Sequence, residues 1–181
     1  MRIEDAQREM RQVYLGASVG QFVSAAVWLV SAALATWGSP TVGMLALILG
    51  GVFIFPLTIL LLTLLRGPTV VSRDNPLNAL GMQVAFAVPL AIPLVLAAAH
   101  GRAAWFYPGF MIVVGAHYLP FMTLYGLRQF AVLAVLLVGG GWLLPVLAPE
   151  AFALGGWIGG AVLLAAGAWL LATHIAEQPR A

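Results

Sequence analysis

The fold is decided by a stretch without a single charged side chain, which occupies positions 12–65 and reads QVYLGASVGQFVSAAVWLVSAALATWGSPTVGMLALILGGVFIFPLTILLLTLL. Its 54 residues are enough for two membrane-spanning helices, because one span needs about 20 apolar residues. The Ser39-Pro40 pair divides the stretch, since serine caps helices and proline fits the first helical turn. The stretch therefore predicts a helical hairpin within a membrane.

The remainder of the chain continues this pattern. Further uncharged stretches, each with room for one span, cover 75–101, 103–127, 129–149 and 151–176. We predict an all-α, polytopic membrane protein with six transmembrane helices at 13–37, 40–66, 76–99, 103–125, 129–147 and 151–174. This transmembrane domain, 13–174, is expected between a cytoplasmic amphipathic segment at 1–12 and a cytoplasmic tail at 175–181.

The composition excludes several classes of protein. Of the 181 residues, 62% are hydrophobic and only 8% are charged, whereas a soluble domain carries about 25% charged residues. A net charge of +2 is too sparse for a surface that follows phosphates, so no nucleic-acid partner is expected. Without cysteine, disulfides and thiolate metal sites are ruled out. Membrane lipids are the expected surroundings.

The arginines predict the orientation. With the N-terminus in the cytoplasm, seven of the eight arginines fall on the inner side and only Arg102 falls outside. Both termini are therefore expected to be cytoplasmic, and Tyr107 is expected in the outer aromatic belt. Ile3, Ala6 and Met10 share one helical face, which predicts a short helix on the inner membrane surface. The alternative is a solvated tail.

No Asp, Glu, Lys or Arg lies inside a predicted span, so an acid-driven proton antiporter is not expected. At the helical rise of about 1.5 Å per residue, several polar side chains reach one depth in the inner leaflet. They are Gln21, Thr58, Gln83 and His117, with Tyr118 beside them. These side chains either bond helices to one another or line a vestibule open to the cytoplasm. Pro56 and Pro120, near this layer, favour the vestibule because they free backbone carbonyls.

Catalytic chemistry is not indicated. The three histidines, His100, His117 and His174, fall at different depths and cannot share a haem or a metal. The serines of the first span have no acid within the membrane to orient a base. We therefore expect no catalytic residue, no cofactor and no metal, and we do not expect an enzyme.

Glycines and a repeated motif bear on packing. Two overlapping G-x-x-x-G pairs in the sixth span predict close helix packing, either inside the chain or in a homodimer; they comprise Gly155, Gly156, Gly159 and Gly160. The motif GVFIFP at 51–56 is similar to GAHYLP at 115–120. This similarity predicts three two-helix hairpins, with chance similarity of apolar sequences as the alternative.

Several short motifs resemble a family of small bacterial six-span membrane proteins of unknown function. They are Asp5-Ala6-Gln7, Met10-Arg11, Tyr14-Leu15-Gly16, Val27-Trp28-Leu29, Asn75-Pro76-Leu77, Trp105-Phe106-Tyr107-Pro108 and the stretch from Tyr118 through Leu124-Tyr125-Gly126. The resemblance implies bacterial origin and the inner (plasma) membrane. It implies no activity and no site residues.

Two functions remain as expectations. The first is a small transporter or binder of an apolar or weakly polar molecule, with a cytoplasmic-facing pocket lined by Gln21, Thr58, Gln83, His117 and Tyr118. The alternative is a non-catalytic membrane subunit or lipid-organising protein, in which the same polar groups only hold helices together.

Overall fold

A computed structural model of the chain describes residues 1–67 and 70–177, and the elements in these ranges are helices without any strand. The predicted all-α class is confirmed. The α-helices of the described ranges are α1 (Ile3–Val13), α2 (Ser18–Trp37), α3 (Pro40–Arg66), α4 (Leu77–Ala85), α5 (Ala87–Gly101), α6 (Phe106–His117), α7 (Leu119–Tyr125), α8 (Gln129–Leu147) and α9 (Leu154–Ala176). The end of the predicted tail, 178–181, lies outside the described residues.

Five helical segments of the described chain, not six, are long and apolar enough to cross a membrane: Leu15–Trp37, Pro40–Arg66, Leu77–Gly101, Gln129–Leu147 and Leu154–Ala176. The difference lies at the predicted span 103–125, which divides at Tyr118 into a helix of 12 residues and one of 7. Leu77–Gly101 is divided at Phe86 in the same way, so the division alone does not make the difference. Pro120 explains the break, because it has no N–H for the carbonyl of Ala116 and its ring crowds that carbonyl. The segment is also less apolar than Leu77–Gly101, because it contains His117, Tyr107, Tyr118 and Tyr125.

The helix ends follow the local signals of the sequence. The backbone N–H of Val42 donates to the Ser39 hydroxyl at 3.3 Å, as expected for a cap at the start of α3. At the start of α4, the N–H of Leu77 donates to the Asn75 side chain at 2.9 Å. Gly126 ends α7 in the left-handed conformation, with φ of 68°, where a side chain would be strained. The predicted start at 40 and end at 125 are confirmed, and α4 begins one residue after the predicted 76.

Helix α2 lies at the centre of the bundle, packed against α3 and α9. Its buried face repeats every three or four residues and carries both apolar and polar side chains: Ser18, Gln21, Ser24, Ala25, Trp28, Ser31, Ala32 and Ala35. The Ser31 hydroxyl donates to the Gly43 carbonyl of α3 at 2.8 Å and lies 2.7 Å from the Tyr107 hydroxyl of α6. Tyr107 is fully buried, so its expected place in the outer aromatic belt is wrong. Its hydroxyl finds a partner inside the bundle instead.

The glycines of α9 let it approach α2 and α6 of the same chain. A Cβ at Gly155 or Gly156 would lie 2.7–2.8 Å from Tyr107, and a Cβ at Gly160 would lie 2.7 Å from Leu29. All four glycines, including Gly159, are buried. In the structure, these glycines therefore pack against helices of the same chain. A homodimer through the same face would require α9 to leave α2.

The members of each predicted hairpin are in contact, since α2 packs on α3, α5 on α6 and α8 on α9. The repeated motif, however, has different surroundings in its two copies. Gly51 has open space around it, whereas a Cβ at Gly115 would lie 2.7 Å from Val138 of α8. In addition, α3 continues through Pro56, whereas the chain breaks before Pro120. The motif therefore marks no equivalent site in the two hairpins.

Gly159→Ala should lower the free energy of unfolding by about 1–3 kcal/mol, the usual cost of overpacking. The added Cβ would lie 2.5 Å from the Trp28 ring, so α2 or α9 must shift. Thermal unfolding in detergent micelles measures the change. Gly51→Ala is the matched control, because it adds the same methyl to open space in α3. Equal melting temperatures of the two variants would contradict the close contact between α2 and α9.

Candidate functional site

The structure brings part of the predicted polar layer together. Gln21 and Tyr118 are buried, with 2% and 4% exposure, and His117 is half-buried. The Tyr118 hydroxyl lies beside the side chains of Gln21 and Ser24 on the buried face of α2. Because Tyr118 occupies the break between α6 and α7, its ring enters the bundle there. The core of the candidate site is therefore Gln21, Ser24, His117 and Tyr118.

Ser24 is the residue of this site that the depth argument missed. It follows Gln21 by three positions, so it shares the same face of α2. Rings from α7 and α8 surround the other side of Tyr118, with centroids 5.3 Å from Phe121 and 6.0 Å from Phe130. The Tyr118 hydroxyl thus has polar surroundings on α2, whereas its ring is packed among aromatic residues of α7 and α8.

His117 faces a second helix break. Its imidazole lies beside the backbone carbonyl of Val84 at the end of α4, just before the chain breaks at Phe86. The ring centroid is 4.9 Å from that of Phe121. Since a carbonyl only accepts hydrogen bonds, the imidazole nitrogen facing it carries the proton. The other imidazole nitrogen then presents a lone pair.

Two buried polar atoms of the site have no hydrogen-bond partner among the described residues: Nδ1 of His117 and Oε1 of Gln21. In the neutral imidazole with its proton on Nε2, Nδ1 is an acceptor. The oxygen of the Gln21 amide is also an acceptor. Buried polar groups normally have a hydrogen-bond partner, because leaving one without costs free energy. Both atoms need a hydrogen-bond donor.

Thr58 and Gln83 do not join this arrangement. The Thr58 hydroxyl donates to the Ile54 carbonyl at 2.7 Å, and its side chain lies near Gly20 in the contact between α2 and α3. Gln83 is exposed on α4, where its neighbour Val84 is the buried residue. Depth along a span therefore gives the right level for both residues, but it does not give the direction in which each side chain points.

The described residues contain no group of three or more His, Asp or Glu side chains that could hold a metal ion. A cavity of about 330 Å³ lies at the surface around the start of α4. Its lining shares no residue with the polar layer and consists of Arg73, Asp74, Asn75, Pro76, Asn78, Ala79 and Met82.

The N-terminal segment forms a second polar feature. As predicted, it is a helix with one buried face, and Ala6 and Met10 are the residues that this face buries. Ile3, which was expected on the same face, is 50% exposed. Helix α1 contacts α4 and α7, so it lies across the ends of the bundle on the side nearest the polar layer.

One carboxylate holds α1 to the segment before α4. Glu9 accepts hydrogen bonds from the backbone N–H of Ser72 at 2.7 Å, from the Ser72 hydroxyl at 3.0 Å and from the Asn75 amide at 2.8 Å. The same Asn75 amide donates to the Ala6 carbonyl at 3.1 Å. The Ser72 N–H, followed by the Asn75 amide, holds the pKa of the Glu9 carboxyl below its usual range.

Further side chains hold α1 to three other helix ends. Gln7 donates to the Thr123 carbonyl at 2.7 Å, and Arg11 donates to the Tyr125 carbonyl at 2.6 Å, so both satisfy carbonyls at the end of α7. Arg11 also pairs with Glu177, after α9, at 3.3 Å. At the end of α3, Arg66 donates to the Gln12 carbonyl. Sequence alone gave no signal for these contacts, since each joins residues more than 50 positions apart.

A protein-family model described as a family of unknown function (DUF7010) matches residues 3–173. The chain belongs to this family. The match covers nearly the whole chain and confirms the resemblance to a membrane protein family of unknown function. None of the curated proteins and none of the solved structures matches the chain. The DUF7010 family therefore contributes no activity.

Protonation of Glu9 should weaken the attachment of α1. The pKa of Glu9 in the folded state lies below the ordinary value of 4.5. The stabilisation that the ionised carboxylate provides is therefore complete above pH 4.5 and is lost as the pH falls through the folded-state pKa. The melting temperature of Glu9→Gln should therefore lie below that of the wild type at neutral pH, and the gap should narrow only below pH 4.5. Glu4→Gln, an exposed glutamate of the same helix, is the control. Equal melting temperatures of Glu9→Gln and the wild type at any pH above 4.5 would contradict this prediction.

Proposed function

We propose that the chain is a multi-pass protein of the bacterial inner membrane that crosses it six times, with both termini in the cytoplasm. The fourth crossing is made by α6 and α7 together. Phe106 to Tyr125 spans 20 residues, or about 30 Å of helix, which matches the hydrocarbon thickness. Interrupted backbone at membrane depth is tolerated where it is packed against protein, and Tyr118, the residue at the break, is buried in the bundle.

The contacts of α1 support the number of crossings. Asn75 and Tyr125 both bond to α1, so the chain leaves from one side at Asn75 and is back on it at Tyr125. Leu77–Gly101 accounts for one crossing on the way, and α6 with α7 must provide the return. On the opposite side, Arg102 pairs with Glu150 at 3.1 Å. The seven-to-one arginine bias then favours the side of α1 as the cytoplasm.

Single cysteines test this topology, because the chain contains none. In intact cells, a membrane-impermeant thiol reagent should label Arg102→Cys but should leave Arg73→Cys and Arg128→Cys unlabelled until the cells are opened. All three arginines are exposed, so access depends on the side of the membrane and not on burial. Labelling of Arg73→Cys in intact cells would contradict the orientation. Labelling of Arg128→Cys alone would contradict the crossing by α6 and α7.

We further propose that the polar layer binds, and in a transport cycle carries, a small and weakly polar molecule that donates hydrogen bonds. The observation that carries this proposal is the pair of buried acceptors without partners, Gln21 Oε1 and His117 Nδ1. Each would be satisfied by an N–H or O–H group of the ligand. Aromatic rings beside both residues suit an apolar body, and the site holds no arginine to attract an anion.

The alternative function, a non-catalytic subunit or lipid-organising protein, is favoured by a different observation. Helix α3 buries only Gly43, Leu47, Thr58 and Leu62, all toward α2. Most of its length therefore faces lipid or another protein. In this alternative, the polar groups only join helices, and each hydrogen bond contributes about 0.6 kcal/mol.

Pairs of probes that differ by one donor separate the two functions. Indole and phenol should raise the melting temperature of the wild-type protein, whereas N-methylindole and anisole, which lack the N–H or O–H, should not. His117→Ala and Gln21→Ala should remove the effect and change the melting temperature of the unliganded protein only slightly. Gln83→Ala is the matched control, since this glutamine is exposed and should change neither quantity.

A different set of results would identify a role in joining helices. In that case His117→Ala has a much lower melting temperature, His117→Asn restores it, and no probe changes the melting temperature of the wild type. Co-purification of a stoichiometric membrane partner with the wild-type chain would then support the subunit function.

A further inference from the structure

The connection between α1 and α2 is conformationally strained. Leu15, Gly16 and Ala17 form a short turn with positive φ angles of 51°, 64° and 67°. Glycine adopts this left-handed region readily, but Leu15 and Ala17 carry a Cβ that crowds the following carbonyl oxygen. Such conformations persist only where the surrounding contacts enforce them. Here they are the contacts of α1 with the rest of the bundle, together with the packing of the turn itself against α9.

The contacts of α1 are mostly polar. Its apolar anchors are Ala6 and Met10. Its polar contacts are the hydrogen bonds of Gln7, Glu9 and Arg11, the ion pair of Arg11 with Glu177, and the hydrogen bonds that the Ala6 and Gln12 carbonyls accept. Water can replace such bonds when α1 lifts, so each contributes only a modest net free energy. Release of α1 would also let Leu15 and Ala17 return to ordinary backbone conformations. Attachment and strain therefore oppose each other.

Helix α1 covers the point where the polar layer comes closest to the bundle end. It contacts both α4 and α7, and His117, the last residue of α6 before the break that leads into α7, contacts the Val84 carbonyl of α4. Tyr125, which Arg11 bonds, is two helical turns from Tyr118. A molecule entering between α4 and α7 from this side would meet α1 first.

We propose that α1 is a hinged lid over the polar layer, held closed by Glu9 and opened by rotation at Leu15–Ala17. The contacts that hold α1 and the hinge at Leu15–Ala17 do not depend on a ligand. The inference rests on the proposed function only for the molecule that the open lid lets in. Opening exposes the surface under Ala6 and gives access to the layer at Ser24. Regulation of the closed state would act on Glu9 or its partners in the segment before α4.

Cysteine labelling in inverted membrane vesicles tests the lid. Reporters are cysteines under α1 (Ala6→Cys), in the polar layer (Ser24→Cys) and deep in α8 (Ala134→Cys), all buried in the closed form. Adding Glu9→Ala should increase labelling at positions 6 and 24 by about tenfold, as for a local opening that loses about 1.4 kcal/mol of closure. Glu4→Ala, on the exposed face of α1, should change neither rate. Position 134 should stay unlabelled throughout.

Each other outcome has a defined meaning. Faster labelling at position 6 but not at 24 would show that α1 moves without covering the layer, and this would overturn the lid. Unchanged labelling at position 6 would overturn the role of Glu9. No ligand takes part in the labelling, so these results stand whether or not the indole and phenol probes bind.

If position 134 also becomes labelled, Glu9→Ala has unfolded the bundle. A second variant, at the hinge, then tests the lid. Ala17→Gly relieves strain in the closed form, so it should slow labelling at position 6 by severalfold, although glycine usually loosens a chain. Ala26→Gly makes the same substitution at an exposed position within α2 and should not slow it. Equal or faster labelling in Ala17→Gly would overturn the hinge.

Discussion

The contact between Trp28 and Gly159 is the constraint on which the arrangement of the other helices depends. Lipid tails are as apolar as leucine, so membrane helices associate through close packing and polar contacts rather than through hydrophobic burial. With no side chain at Gly159, the indole of Trp28 can lie directly against α9, and α2 is held close to it. This position turns the remaining faces of α2 toward α3 and α6. Ser31 then reaches both a carbonyl of α3 and the hydroxyl of Tyr107.

Proline supplies the second constraint. The breaks at Phe86 and Tyr118 lie three and two residues before Pro89 and Pro120, each of which leaves a carbonyl of the preceding turn without its N–H. The break at Tyr118 brings this ring to the polar face of α2, and the break at Phe86 leaves the Val84 carbonyl beside His117. The candidate site therefore forms where two interrupted helices meet one continuous helix that carries polar residues.

The sequence predicts the lengths and ends of the helices well, because charge and hydropathy are local quantities. The boundaries of α3 agree with the predicted 40–66, and the glycines of α9 pack closely as expected. Rotation about a helix axis is not local, since it depends on which neighbour packs on which face. For this reason the sequence predicts Gln83 in the site, whereas in the structure its neighbour Val84 faces the site and Gln83 is exposed. In the same way, the sequence predicts Tyr107 at the surface, whereas it is buried. The partners of Glu9 were missed for the same reason.

The hinge and the polar layer share one helix, and this limits how far a movement of α1 can travel. Gly16 lies against His174 of α9, and the Ser18 hydroxyl donates to the Leu15 carbonyl at 2.7 Å, so the hinge is tied to the first turn of α2. Gln21 follows one turn later, where its Cβ packs against Gly167 of α9. A rotation at the hinge can therefore change the surroundings of Ser18 and Gln21, while the Trp28–Gly159 contact holds the rest of α2 in place. Opening of the lid and exposure of the Gln21 acceptor would then be one movement, confined to the first two turns of the helix.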